Sequence, residues 1–476
     1  MTSATTSYSA GAGKVGVDKR SRRAPMSAVE LVAAYSALVV TLLQTLVVPV
    51  TPLFPEILGI SAATASWIVT STLLIGTIAT PVVSRLADMY GRRRLMLIAL
   101  GLVLAGSVIA AAGSTAMLIV GRGLQGVGTA IIPVAMALVR DLVPPQRLPS
   151  ALALLSAMLG IGGGLGIPIG GAIMGAAGWR AIFAVAALLS LIALVAVLFV
   201  VPRDARTTDG PTPRFDLRGA IVLGLGLTCL LIALTRAGEW GWTNPLTVGL
   251  IAASAVVFTG WVALQRRTAE PLVDVHTAAL RPVFMANLAG LMLGFAMFAN
   301  LLVTTIQLQN DPAENGFAIS PGIAGMAMLP SALMSLIAAP VAARIANKYS
   351  PRFLLQLGTA IIIAGYLLRW VFSTTAPMVV VWATVLTIGI SFGYAALPMI
   401  IVAHVEPAVT AGANGFNTLL RSIGMSLGSS FVATMGVMFA GAHGGAAWEA
   451  NVAVFLAGAA AALVALIAAT AAARRS

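Results

Sequence analysis

Arginine is the ionisable side chain that this sequence places inside its apolar stretches. Arg122 lies in the stretch 116–139, and Arg421 lies about two turns into the stretch 413–440. A guanidinium is costly to bury in an apolar medium, so it normally faces a cavity or a partner. Arg122 could instead extend to nearby water, and Arg421 could attract an anionic ligand or pair with Asp88. Neutral polar residues that could face the same cavity are Gln44, Asn300, Gln307, Tyr394 and Asn417.

The other residues that could do chemistry form no catalytic or metal site. The 3 histidines, His276, His404 and His443, fall in loops or at the ends of apolar stretches, and Cys229 has no second cysteine to pair with. The sequence contains no nucleophile–base pair, metal-ligand cluster or Walker phosphate loop. It therefore predicts neither an enzyme nor a cofactor. A membrane-embedded enzyme or sensor is left as a remote alternative.

The composition indicates the solvent in which this chain folds. Hydrophobic residues make up 59% of its 476 residues and charged residues 9%, and the mean hydropathy is +0.98. Soluble domains carry about 25% charged residues. The formal net charge of +13 would suggest nucleic-acid binding in a soluble protein. Here the basic residues recur as short clusters between apolar stretches, so we expect a membrane protein and no nucleic-acid partner.

The apolar stretches have the length of membrane-spanning helices. A hydrocarbon layer of roughly 30 Å needs about 20 apolar residues in helical form, and unpaired backbone groups in lipid exclude open sheets. The sequence therefore predicts an all-α integral membrane protein with fourteen transmembrane helices. The predicted spans are 30–52, 65–84, 95–113, 116–139, 148–176, 180–201, 219–236, 245–264, 284–307, 322–342, 353–373, 376–402, 413–440 and 448–471.

The distribution of basic residues predicts the orientation. Almost all arginines and lysines outside the spans fall on the side of the N-terminus, whereas the opposite side has Arg180 and Arg236, with Arg369 as a third candidate. Basic loops stay in the cytoplasm. We therefore expect a multi-pass protein of the plasma (inner) membrane with both termini in the cytoplasm.

An internal repeat predicts two halves. The segment 84–95, SRLADMYGRRRL, aligns with 343–354, ARIANKYSPRFL, and further matches follow at similar offsets. Transporters are often built from two such repeats around a midplane site. We expect two six-helix halves around a central cavity, separated by an inserted helix pair (6+2+6). The predicted divisions are a cytoplasmic tail at 1–28, a first half at 29–201, a linker with two helices at 202–281 and a second half at 282–472.

Three motifs carry chemistry that suits such a transporter. After the second span, Asp88 can pair with an arginine, and Gly91 permits a tight reversal before Arg92 and Arg93. In the fourth span, 121–128 reads GRGLQGVG and contains Arg122. The fifth span contains a run of small residues with a proline, which permits close helix packing and bending; its hinge candidates are Gly162, Gly166, Pro168, Gly170 and Gly171.

These motifs resemble the major facilitator superfamily and, within it, the fourteen-span drug:proton antiporter branch. The resemblance implies gating by Asp88 and its neighbouring arginines, a coupling or substrate role for Arg122, and an exporter-type hinge in the fifth span. Plain stop-transfer anchoring and plain glycine packing are the alternatives for the first and third motifs. In this sequence Ser84 replaces the first glycine of the loop signature, and the proline of the hinge motif stands one place late.

The sequence departs from that branch at the group that would carry protons. The branch often has an aspartate in the first span, where this chain has Gln44, which cannot titrate but can hydrogen-bond a ligand. None of the 15 acidic residues lies in the middle of a span. The remaining candidates for the proton carrier are Asp88, Glu30 and Glu406, which stands near His404.

The sequence therefore predicts a monomeric secondary active exporter of hydrophobic or amphiphilic small molecules, such as drugs, antibiotics or secondary metabolites. The proton gradient is the expected driving force, with alternating access as the mechanism and protons and the lipid bilayer as partners. A proton-independent facilitator, or a lipid or metabolite transporter of the same fold, is the alternative that the missing acid favours.

Overall fold

The computed structural model describes residues 27–47, 50, 54–60, 62–203, 215–312, 316–440 and 446–471. Within these ranges the chain is helical, with no strand. Most of the predicted tail at 1–28, and residues 204–214 of the predicted linker, lie outside them.

Seventeen α-helices follow one another in these ranges. The first part of the chain forms α1 (Ala28–Thr45), α2 (Phe54–Leu58), α3 (Ala62–Tyr90), α4 (Arg92–Ala111), α5 (Thr115–Gly126), α6 (Ile131–Leu142) and α7 (Leu148–Val200). The middle part forms α8 (Leu217–Trp240), α9 (Pro245–Arg267) and α10 (Val275–Ala279). The last part forms α11 (Arg281–Gln309), α12 (Pro321–Ala327), α13 (Leu329–Lys348), α14 (Pro351–Phe372), α15 (Ala376–His404), α16 (Thr410–Ala440) and α17 (Ala446–Ala471).

Twelve helical runs among the described residues are long and apolar enough to cross a membrane. This number includes α7 once, although the non-helical angles of its Gly178 (φ 77°, ψ 175°) divide its 53 residues into two helices. It does not include α16, which has 31 residues. The structure thus has the many-span helical architecture that the sequence predicts, while the count of fourteen spans stays a prediction.

Local sequence explains where several helices begin. Ser27 and Glu30 form a reciprocal capping box at the start of α1, in which each side chain satisfies a backbone N–H that has no partner inside the helix. Asp216, Asn244 and Ser350 cap α8, α9 and α14 through their side-chain oxygens. Each capping residue stands at the junction between a polar loop and an apolar run, where a span was expected to begin.

Two helix pairs occupy equivalent positions in the predicted halves. In the first half α1 lies along α7, and in the second half α11 lies along α16. The two halves meet where α7 packs against α13 and α15 and where α3 packs against α16. Buried apolar residues from both parts of the chain form one continuous core across this junction.

The predicted inserted pair packs on the outside of this junction. Helices α8 and α9 lie against each other, and α8 also contacts α3 and α16. The following linker is tied to this pair, because Gln265 accepts the Val273 N–H at 3.1 Å and donates to Asp216 at 2.6 Å. The Trp261 indole donates to the Gly219 carbonyl at 2.9 Å. Leu272 and Val273 of the linker line a cleft together with Arg85 and Asp88, near the end of α3.

Candidate functional site

The Asp88 carboxylate joins the two halves at the predicted cytoplasmic end of the bundle. It stands near the end of α3 with a side chain only 1% exposed. It accepts the backbone N–H groups of Ala411 and Gly412, at 3.2 and 2.7 Å, in the first turn of α16. Those N–H groups have no partner inside their own helix, and the helix dipole favours an anion at this point. An acid of the first half therefore caps a helix of the second half.

Two arginines of the first half add to this contact. Arg92 donates to Asp88 at 3.3 Å and to the Pro407 carbonyl at 2.7 Å, and it forms an ion pair with Asp141. Arg140 donates to the Val405 carbonyl at 2.9 Å and to the Thr410 hydroxyl. The segment 405–412 is thus held by three charged side chains of the first half. We call this set of contacts the gate.

Gly91 and Arg93, the other two residues of the predicted gating loop, do not bond the segment 405–412 in the contacts described above. Gly91 has φ 103° and precedes α4, a left-handed conformation that side chains rarely adopt. It lets the chain reverse so that Arg92 can reach back to Asp88. Arg93 donates to the Leu198 carbonyl of α7 at 2.8 Å. That bond lies within the first half.

The predicted hinge glycines pack α7 against α1. Gly162, Gly166 and Gly170 recur every fourth residue, and a methyl group on any of them would overlap Thr41, Thr45 or the Leu46 carbonyl, respectively. The close approach permits hydrogen bonds between the helices, from Thr41 to the Met158 carbonyl at 3.0 Å and from Thr45 to the Gly162 carbonyl at 2.9 Å. Gly171 has no heavy atom within 4 Å of the place a Cβ would take.

A second face of the same segment meets the other half of the molecule. A Cβ on Gly160 would lie 2.5 Å from the Ser335 hydroxyl, and one on Gly164 would lie 2.7 Å from the Ala332 Cβ, both on α13. Pro168, which lies inside α7, stands against Gly325 of α12. The small residues of α7 therefore separate into a face for α1 and a face along which the halves meet.

Arg122 is buried inside the first half rather than extended to water. Its residue is 1% exposed. The guanidinium donates to the carbonyls of Ile68 and Leu43, each at 3.1 Å, and to the Gln125 side chain at 2.8 Å. Gln125 in turn donates to Ser107 at 2.8 Å. Neutral oxygens of three helices thus satisfy this cation, and the alternative of a snorkelling side chain was wrong.

Gln44 is half-buried on α1. Its amide donates to the Thr129 hydroxyl at 3.1 Å, in the 3₁₀ turn between α5 and α6. One hydrogen bond leaves an amide group with further donor and acceptor capacity. Gln44 can therefore bind a ligand without first breaking its bond to Thr129.

Asn300 belongs to a buried polar cluster around Arg369. Arg369 was considered as a possible third basic residue of the outer side, yet it is fully buried. It donates to Asn300 at 2.8 Å, Thr304 at 2.7 Å and Gln307 at 3.1 Å, and its guanidinium lies 4.9 Å from the Phe455 ring centroid. The three acceptors stand at i, i+4 and i+7 of α11, a spacing that puts them on one face. That spacing, opposite an arginine within an apolar run, was the signal that could have found the cluster.

Asn417 and Arg421 lie on α16 one helical turn apart. Asn417 is buried and donates to the Ala286 carbonyl at 3.2 Å and to Asn287 at 3.1 Å, which joins α16 to α11. Arg421 stacks on the Tyr394 ring, with its guanidinium carbon 4.3 Å from the ring centroid. It does not pair with Asp88, whose oxygens are taken by the gate.

The acidic residues considered as proton carriers lie at one end of the bundle. Glu30 forms an ion pair with Arg147 at 2.6 Å while it closes the capping box of α1. Glu406 and His404 are exposed at the junction of α15 and α16. In the described part of the chain, no group of three His, Cys, Asp or Glu residues is placed to hold a metal ion.

A narrow cleft opens beside the gate. It is lined on one side by Arg85 and Asp88 and on the other by Asp274 and Gly412, among others. Partial burial acts to raise the pKa of Asp274, but hydrogen bonds from Thr277 and the His276 N–H outweigh it, so the pKa lies below its usual value. Asp274 therefore stays ionised at neutral pH and adds negative charge to this cleft.

Comparison with known proteins gives consistent matches over most of the chain. A family model described as Major Facilitator Superfamily matches residues 33–429. A tetracenomycin C resistance and export protein of Streptomyces glaucescens is 28% identical over 86% of this chain and 75% of its own length. Multidrug resistance protein 3 of Bacillus subtilis is 26% identical over 78% of this chain and 72% of its own.

A solved structure shows the same fold. The crystal structure of the human organic anion transporter MFSD10 (TETRAN) superposes with a TM-score of 0.62 and covers 91% of this chain and 99% of its own. The two sequences are 15% identical, so this likeness concerns the fold alone.

Proposed function

Since this chain belongs to the Major Facilitator Superfamily, we propose that it is a secondary active exporter of hydrophobic or amphiphilic small molecules, driven by proton antiport. It is a transporter and not an enzyme. Relatives named for multidrug resistance and for antibiotic export support the export direction. The small-residue face of α7, along which the halves meet, supports movement of one half against the other.

The gate is the observation that carries this proposal. In alternating access one end of the cavity is closed while the other is open, so the closing contacts must be strong enough to hold and weak enough to break. Asp88, Arg92 and Arg140 hold the segment 405–412 through hydrogen bonds that each contribute about 1–3 kcal/mol. Loss of one or two of these bonds changes the balance between closed and open states by a few kcal/mol, which is within the range that a ligand or a proton can supply.

We also propose fourteen spans in the plasma membrane, arranged 6+2+6 with both termini in the cytoplasm. Dividing α7 at Gly178 and counting α16 adds two helices to the twelve candidates. An even number of spans returns the chain to its starting side, which agrees with the basic loops. The helix pair α8 and α9, packed outside the junction, suits an insertion between two six-helix halves. We propose that the monomer is the functional unit.

Asp88 is our choice for the proton-linked group. Its protonation would remove the charge that two backbone N–H groups and Arg92 share, which would weaken the gate. Glu30 is less suitable because it is held by Arg147 and by the cap of α1.

A proton-independent facilitator is the second candidate function. The observation that favours it is Gln44, a residue that cannot titrate and that stands where a midplane carboxylate would serve proton exchange. In that case Asp88 would close the gate without exchanging protons.

The test is dye movement by respiring cells, which would extrude the dye, or by energised inverted membrane vesicles, which would accumulate it. We expect dye movement that stops when an uncoupler collapses the proton gradient and that is lost in Asp88→Asn and Arg122→Ala. Movement that an uncoupler leaves unchanged would exclude proton antiport and favour the facilitator. No movement of any amphiphilic dye would contradict export itself.

A further inference from the structure

Four arginines are buried among the described residues. Arg92 belongs to the gate, and the other three lie farther from the helix ends and differ in their partners. Arg122 and Arg369 each donate to three oxygens of carbonyl, amide or hydroxyl groups. Arg421 is 6% exposed, and its guanidinium makes no hydrogen bond to any residue that the structure describes. Its Nε is buried without a partner, as is the Nε of Arg369, so Arg421 differs in having no partner among the described residues for its terminal nitrogens either. Among these three, Arg421 is the cation whose donors remain free to bind something else.

Arg421 lies deep within the bundle. It stands eleven residues after Thr410, the first residue of α16, which at 1.5 Å per residue is about 16 Å from the gate end. The hydrocarbon layer is roughly 30 Å thick. The unpaired guanidinium is therefore near the middle of the membrane, at the depth where transporters of two repeats bind their substrates.

The surroundings of Arg421 belong to the junction between the halves. Tyr394 presents its ring to the guanidinium, its hydroxyl lies 3.2 Å from the Met297 sulfur, and its backbone carbonyl accepts a hydrogen bond from Ser156 of the first half at 3.1 Å. The Met297 methyl group faces Gly163 of α7, 3.9 Å from the place a Cβ would take. The Tyr394 ring thus covers the cation, and the Met297 thioether and the bare backbone of Gly163 lie beyond the hydroxyl of that ring.

We propose that Arg421 binds the anionic group of the substrate, so that the exported amphiphiles are organic anions with an aromatic or apolar body. This inference rests on the proposed function and names its substrate class. A cation without acceptors is costly to keep in a membrane, and a bound sulfonate or carboxylate supplies the missing acceptors. Tyr394 and Met297 then pack on the apolar body, since rings and thioethers adapt to varied apolar shapes.

Binding to the purified full-length protein tests this directly. The probe is a fluorescent alkylnaphthalene sulfonate, which is ionised at every working pH, and its matched control is the neutral sulfonamide of the same skeleton. We expect the wild type to bind the sulfonate about 10- to 100-fold more tightly, the difference of one to two charge-assisted hydrogen bonds. Equal affinities for the two probes in the wild type would overturn the proposal without any variant.

Two variants separate charge from packing. Arg421→Gln removes the cation but keeps a polar side chain, and we expect it to bind both probes equally, with the sulfonamide affinity unchanged. Arg421→Lys keeps the charge and should retain most of the preference for the sulfonate. A sulfonate preference that persists in Arg421→Gln would overturn the assignment to this residue.

Transport of the same two probes distinguishes this inference from the proposed function. Export of the sulfonate by the wild type and its loss in Arg421→Gln, with sulfonamide export retained, would support both. Export of both probes at equal rates in wild type and variant would leave the exporter in place and overturn the anion site.

Discussion

Replacing Asp88 by asparagine tests the gate with the smallest change of shape. The side chain keeps its size and one acceptor oxygen but loses its negative charge. That charge is shared with two backbone N–H groups of α16 and with Arg92, at distances of 2.7 to 3.3 Å. The substitution also replaces one carboxylate oxygen by an amide NH₂ group, which cannot accept a hydrogen bond from the neighbouring N–H donors.

The size of the effect follows from these contacts. A hydrogen bond to a charged group contributes about 1.5–3 kcal/mol and a neutral one about 1 kcal/mol, and an anion at a helix N-terminus adds about 0.3–1 kcal/mol. Because the asparagine oxygen retains part of the bonding, we expect the closed gate to lose about 2 kcal/mol. At 1.4 kcal/mol per factor of ten, the ratio of closed to open molecules falls about 30-fold.

The assay is a distance measurement across the gate end. Spin labels at Phe199 and Tyr349, which are exposed at this end of α7 and just after α13, report the separation of the halves in a Cys229→Ser background. We expect Asp88→Asn to shift the population towards long distances. The matched control is Asp216→Asn, because Asp216 also caps a helix N-terminus but does so within α8. An unchanged distribution in Asp88→Asn, or the same shift in both variants, would refute the assignment of the gate.

Two further substitutions test packing inside each half. Gly166→Val places a side chain against Thr45, so we expect overpacking of about 1–3 kcal/mol and a lower thermal midpoint of the purified protein. The control is Gly171→Ala, which has open space around it and should leave the thermal midpoint unchanged. Arg369→Gln leaves the acceptors of α11 without their donor, which costs about 1–3 kcal/mol of stability for each buried group. We expect a lower thermal midpoint and an unchanged binding preference between sulfonate and sulfonamide. A changed preference would show that Arg369 also contacts substrate.

The sequence was sufficient for the many-span helical architecture and for the expectation that Asp88 makes a specific interaction. Apolar runs of spanning length predicted the helical bundle, and an isolated aspartate within a basic loop predicted an interaction for Asp88. Its partner was not predictable, because the N–H groups of Ala411 and Gly412 are backbone atoms that leave no trace in residue types. Only the packing of α3 against α16 brings them to the carboxylate.

The buried polar residues were harder to assign, since composition does not give helix rotation. Gln44, Asn300 and Asn417 were expected at one cavity, but Asn300 and Asn417 are bound within the second half. Arg369 was considered as a possible basic residue of the outer side because it stands near a helix end. Its burial depends on the acceptors of α11, far away in sequence. Glycine spacing in α7 indicated close packing, yet which glycines face α1 and which face α13 became apparent only in the folded chain.

Proton exchange linked to substrate movement is the central claim, and reconstituted vesicles with a lumenal pH dye test it most directly. Substrate is added outside, with no imposed gradient and with potassium and valinomycin to clamp the voltage. We expect substrate entry to alkalinise the lumen, because protons leave as substrate enters, and we expect Asp88→Asn to abolish this change in lumenal pH. Substrate entry at an undiminished rate with no change in lumenal pH would contradict proton antiport and leave a facilitator of the same fold.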